Sequence, residues 1–199
     1  LWNRRMVMAM RKNDDFEYTK ERIDGRLLSH SIHYLSGDIG EENVRECIKW
    51  IIYENLDTSP RNANKVLTLY INSSGGNLYD GFALIDIIKQ SEIPIRTVCV
   101  GQAMSAAFLI FISGTQGYRK VARNACLMCH QYADTAEGKH HELKAYIREG
   151  EKCNTRMVGL IKEATGLSPA KIRSRLLKET DVYLNAEEAL ELNIADELF

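Results

Sequence analysis

The chain has 199 residues, 45% of them hydrophobic, and its 26 Lys and Arg against 27 Asp and Glu leave a formal net charge of -1. A chain of that size can bury a sizeable core and is most simply one domain, while near-neutral, interleaved charge gives no electrostatic footprint for nucleic acid or an anionic membrane. Five cysteines, an odd number at 47, 99, 126, 129 and 153, do not make a disulfide framework and suit a reducing compartment, the cytoplasm or an equivalent organelle interior.

In chain order, residues 1–22 are charged and weakly patterned and are expected to form a mobile N-terminal arm ahead of one domain over 23–199. The chain opens on Leu1 rather than methionine, which points to a processed or trimmed start, and no secretory leader pattern is present. A strand signal over 26–38 is ended by Gly37-Asp38. Apolar residues at 44, 47, 48, 51 and 52 then predict a helix over 41–55. Residues 58–64, with Ser59-Pro60 and two asparagines, read as a loop. A strand over 66–71 is broken by Asn72-Ser73-Ser74-Gly75-Gly76 before an amphipathic helix over 78–90.

The same plan repeats at 95–114. A β-branched strand over 95–100 turns at Gly101 into an apolar helical run from about 103 to 112, which is far short of the roughly 20 residues that span a bilayer. Strand, helix, strand, helix means an α/β fold. A further strand is expected over 125–130. The longest helical pattern follows at 142–164, charged on one side and apolar at 143, 147, 157, 160 and 161, which should protrude or pack against a neighbour. Gly166 ends it, Ser168-Pro169 caps a short helix, 180–184 is extended, and Asn185 with Glu188 begins the last helix as a capping box.

Four features carry chemistry when taken together. Gly75-Gly76 lies between a strand and a helix, where backbone N–H groups can approach a ligand oxygen. Ser105 is expected in the first helical turn after the next strand. A serine there is ordinarily a cap, and it can equally be a nucleophile. His130 ends its strand on the same face as Cys126 and Met128, and Asp181 sits in a turn, where aspartate is common for its own reasons. Donor, serine, imidazole and carboxylate are the parts of a serine hydrolase, whose order along the chain is free. Cys126 and Cys129 are spaced C-x-x-C, but no second pair accompanies them, so neither a metal nor a cofactor is expected.

These local sequences resemble the proteolytic subunit family of the Clp protease, ClpP. The matching motifs are YINSSGG at 70–76, GQAMSAA at 101–107, MCHQ at 128–131 and ETDVYLNAEEAL at 179–190, with GRLLSHSIHYLSG as the first strand; together they cover about 23–199. The resemblance implies the spiral α/β fold of the ClpP and crotonase group, with 131–164 as a protruding handle. It implies Ser105 as nucleophile, His130 as general base, Asp181 as the residue that orients the histidine, and the N–H groups of Gly76 and Ala106 as oxyanion hole. It further implies two stacked heptameric rings, and an AAA+ unfoldase of the ClpX, ClpA or ClpC type that feeds unfolded polypeptide to them. No G-x-x-x-x-G-K-[ST] pattern is present, so ATP chemistry falls to that partner.

The departures from the family pattern are Ser74 for a proline, Ala106-Ala107 for Met-Gly, Thr180 for an arginine used between rings, and Gln131-Tyr132-Ala133-Asp134-Thr135 in place of Gln-Pro and a glycine-rich strand. Lys120 and Ala122 replace the aromatic and aliphatic residues that help line the unfoldase-docking pocket. Two other readings stand beside the serine endopeptidase. One is a weakly active structural subunit that co-assembles with another ClpP-like chain in mixed rings. The other is a coenzyme-A-binding crotonase relative, which would have no reason to keep Ser, His and Asp in this order.

Overall fold

The computed structural model describes residues 18, 19, 21–57 and 64–199. The expected arm therefore lies mostly outside the described residues, as does all but the last residue of the loop expected over 58–64. Residues 21–29 are helical and lead through a turn into β1 (Ile32–Ile39), so the strand begins later than its sequence signal and runs on past Gly37-Asp38. Helix α1 (Glu41–Leu56) follows. Its buried residues Val44, Cys47, Trp50, Ile51 and Glu54 form one stripe, and Glu41 and Glu42 complement the helix dipole at its first turn.

Strand β2 (Leu67–Gly76), helix α2 (Leu78–Gln90), strand β3 (Ile95–Met104) and helix α3 (Ala106–Ile112) give the repeated strand-helix plan. Strands β1, β2 and β3 are parallel neighbours. Both faces of β2 are covered, with Leu67, Leu69 and Ile71 wholly buried and Thr68 nearly so, the pattern of a central parallel strand. All seven residues of α3 are buried, as an all-round apolar helix must be. Arg119–Val121 (β4), Cys126–Cys129 (β5), His140–Thr165 (α4), Pro169–Arg175 (α5), Val182–Leu184 (β6), Ala186–Glu191 (α6) and Glu197–Leu198 (β7) complete the order. The sheet runs β1-β2-β3-β4-β7, with β5 also on β3 and β6 antiparallel to β5. The architecture is the α/β one expected, with a mixed central sheet.

Three readings need correction. Residues 72–76 do not break β2, because their backbone stays in the ladder with β1, and Ser73 stays paired with Ala103 of β3. Gly101 is not the corner: β3 runs through it to Met104, pairing with β4 at Thr97–Cys99 and with β5 at Gln102–Met104. The positive φ of 74° at Gly101 marks the point where the strand changes partner. The corner is Ser105 itself, which precedes α3 rather than lying in its first turn. Strands β4 and β7 went unread.

Helix α4 ends at Gly166, whose φ of 73° is the left-handed cap a glycine supplies. Its buried residues, Cys153, Met157, Val158, Ile161 and Thr165, lie in the C-terminal half, whereas Tyr146 and Ile147 in the N-terminal half are exposed. Asn185 and Glu188 form the capping box: Asn185 Oδ1 accepts from Glu188 N at 2.8 Å and Glu188 Oε2 accepts from Asn185 N at 2.9 Å. All five cysteines are free, and burial pushes the thiols of Cys47, Cys99 and Cys129 up to about 12. The Cys129 thiol donates to the carbonyl of Leu176 at 3.1 Å. Among the described residues no cluster of three or more His, Cys, Asp or Glu side chains is arranged to hold a metal, and no helix is long and apolar enough to cross a membrane.

Candidate active site

The site forms where β2, β3 and β5 end and β6 begins. In the β3–β5 register Met104 lies opposite Met128, and one residue later Ser105 N–H donates to the Met128 carbonyl at 2.9 Å. That bond ties the serine backbone to the strand that His130 follows two residues on. The result is a hydrogen bond of 2.8 Å between Ser105 Oγ and His130 Nε2. Ser105 itself has φ 54° and ψ -120°, a conformation that costs an L-residue energy and persists only where its surroundings enforce it.

The enforcing groups are close at hand. A Cβ on Gly75 would lie 2.7 Å from both the Met104 carbonyl oxygen and Ser105 Cβ, and one on Gly76 would lie 2.3 Å from the Ile39 carbonyl oxygen. With φ of 103° and 145°, both positions demand glycine, so the end of β2 is pressed against the serine corner on one side and against β1 on the other. Ala106 begins α3, and a backbone N–H in a first helical turn has no acceptor inside the helix. Gly76, Ala106, Ser105 and His130 line one cavity of about 330 Å³.

Asp181 is placed differently. In the antiparallel β5–β6 register Cys129 lies opposite Val182, and His130 and Asp181 are the residues that lie just beyond that last pair. The two residues therefore both flank the end of that ladder. Yet Asp181 is exposed, and among the described residues its carboxylate makes no hydrogen bond to His130. The serine and histidine are brought together; the aspartate is brought alongside without being joined to them.

Several lining residues were not read as part of the site. Asn77 caps α2, accepting from Tyr79 N at 2.9 Å and Asp80 N at 3.1 Å, and its N-cap position was legible in the strand-to-helix junction. Tyr79 donates its hydroxyl to Glu149 Oε1 at 3.0 Å and lies beside the Cys153 sulfur; the hydrogen bonds to Cys153 and then Glu149 raise its phenol well above the ordinary value. Met157 arrives from α4. Tyr132 and Asp134 come from the segment after His130. Tyr132 N–H donates to Asn154 Oδ1 at 2.7 Å, and the ring edge lies where a Cβ on Gly150 would be 3.1 Å away. The Tyr132 hydroxyl donates to Asp134 Oδ2 at 2.8 Å, and that bond, with burial second, pushes the phenol up to about 12.

An imidazole nitrogen within hydrogen-bond reach of a serine hydroxyl can take its proton as the oxygen attacks an electrophilic carbon. The cavity beside the pair offers room for the reacting group. The family model described as Clp protease matches residues 16–199. That match takes in the serine corner, the histidine, the aspartate and nearly all of the fold, and the chain belongs to the Clp protease family.

Proposed function

We propose that the chain is a serine endopeptidase subunit of a self-compartmentalised, ATP-dependent protease that hydrolyses unfolded polypeptide. The observation that carries this reading is the 2.8 Å contact of Ser105 Oγ with His130 Nε2 at a corner of positive φ. Ser105 Oγ attacks the scissile carbonyl carbon while its proton passes to His130 Nε2. The carbonyl oxygen, now negative, is held by the N–H groups of Gly76 and Ala106. His130 returns the proton to the departing amine, leaving an acyl-serine, and a water deprotonated by the same nitrogen releases the acid and restores the hydroxyl. Asp181 orients and stabilises the imidazolium by turning from its exposed position onto the Nδ1 side of His130.

Family membership supports the wider assembly: two stacked heptameric rings in which the exposed half of α4 is the handle between rings, and an AAA+ unfoldase that supplies unfolded substrate. A specific observation favours a second reading. Because Asp181 has no bond to His130, the chain fits a weakly active structural subunit that works in mixed rings with another ClpP-like chain.

Fluorophosphonate labelling, followed together with native mass, separates the two. The first reading expects Ser105 to be labelled, and Ser105→Ala to keep the parental mass while losing label and peptidase turnover. It also expects Asp181→Asn to lower kcat by about 10⁴-fold, the loss typical of an orienting carboxylate. A parent that assembles yet labels and cleaves only weakly would favour the second reading instead.

A further inference from the structure

The segment after His130 gives the cavity a charge. Among the residues lining the space beside Ser105, the others being polar, apolar or the histidine itself, Asp134 is the one carboxylate and no ammonium or guanidinium accompanies it. Nearby Glu149 is neutralised, since Lys152 Nζ lies 3.0 Å from it and Arg156 3.9 Å. Asp134 has no such partner among the described residues. Its two hydrogen bonds come from the Tyr132 hydroxyl at 2.8 Å and the Thr135 N–H at 2.7 Å. A carboxylate offers about four acceptor sites, so capacity remains for a ligand. Its position is also fixed: Tyr132 is held by Asn154 and seated against Gly150 of α4, and its hydroxyl holds the carboxylate.

We propose that Asp134 is a specificity determinant that selects substrates carrying a cationic side chain, lysine or arginine, next to the scissile bond and disfavours acidic ones there. Tyr132 is its positioning residue. The proposal rests on the peptidase reading above and names the substrate class of that same site. An exposed carboxylate acts in high dielectric, so the effect is a matter of several-fold rather than orders of magnitude, and it weakens with salt.

The test measures binding, so that it does not depend on turnover. In the assembled Ser105→Ala protein, fluorescence anisotropy compares N-acetylated peptides identical except for Lys, Leu or Glu at the varied position; acetylation leaves the side chain as the one cation. The expected order is Lys, then Leu, then Glu, with Lys over Glu by about three- to tenfold at low salt. Adding Asp134→Asn abolishes that ratio, Asp134→Lys inverts it, and Tyr132→Phe reduces it. Equal affinities, a ratio that survives Asp134→Asn, or no binding of any of the peptides would overturn the proposal. Failure of the peptidase reading is recognised separately, as absence of turnover and label in the parent.

Discussion

At the scale of single residues, the serine corner depends on what the neighbouring strand lacks. Gly75 has a φ of 103°, and any side chain on it would collide with the Met104 carbonyl and Ser105 Cβ. Gly75→Ala is expected to cost about 1–3 kcal/mol of stability from backbone strain. Its larger effect falls on the site: a displacement of the serine by even 1 Å from its partner is expected to lower peptide turnover by about 100-fold. Turnover and thermal unfolding of the purified variant check both. An alanine variant of parental activity would mean that the corner is held by something other than β2. Gly101 is the contrast. Its added Cβ would meet the Asn72 side chain at 2.8 Å, a group that can move, so its glycine serves the change of strand partner rather than the Ser105 corner.

At the scale of elements, what the sequence disclosed follows hydrophobic period and length. Helices α1, α2 and α4 carry stripes long enough to read, and Asn185 with Glu188 announced α6 by capping chemistry alone. Strands β4 and β7, of three and two residues, are too short for any period, and only pairing across the sheet defines them. The motif residues Ser105 and His130 were legible, whereas Tyr79 and Met157 reach the cavity from helices by tertiary packing, for which no local pattern exists. Strand β4 also bears on the proposed docking of an unfoldase. The register sets Tyr34, Tyr70, Val98, Lys120 and Glu197 in one row across the sheet, with Phe199 edge-on to Tyr70 at 6.1 Å and Lys120 Nζ 2.8 Å from Glu197 Oε2. An ion pair thus ends a row of apolar and aromatic groups. Lys120→Phe with Ala122→Leu is expected to strengthen docking of a ClpX-type ring, since one buried large apolar side chain supplies about 1.5–3 kcal/mol and multivalent docking compounds it. Pull-down and ATP-dependent degradation measure this, and no gain over a parent that already docks well would count against it.

At the scale of the whole molecule, a buried ion pair helps fasten the C-terminus to the sheet, beside the β4–β7 ladder. Arg119 of β4 is 2% exposed; its Nε lies 2.9 Å from Asp196 Oδ2, its Nη2 2.5 Å from Oδ1, and its Nη1 donates to the Ala164 carbonyl at 2.9 Å. Asp196 Oδ2 also accepts the N–H groups of Gly117 at 2.8 Å and Arg119 at 2.9 Å. The pair therefore joins β4, the end of α4 and the approach to β7. Burial works to raise the Asp196 carboxyl, but the hydrogen bonds and charge of Arg119 outweigh it and hold the group below the ordinary carboxylate value. The sign follows from that direction. A carboxyl with a lowered folded-state pKa adds stability that is fully present above its unfolded value, about 3.9, and is lost as pH falls through the folded value. Asp196→Asn leaves a buried guanidinium without its counter-charge and is expected to cost about 3 kcal/mol near neutrality. Because a protonated Asp196 is nearly an asparagine, the stability gap between parent and variant should close as pH drops below about 4. Urea unfolding followed by tryptophan fluorescence at pH 7 and pH 3 measures the gap. A gap of the same size at both values would place the contribution of Asp196 in its shape and neutral hydrogen bonds rather than in its charge.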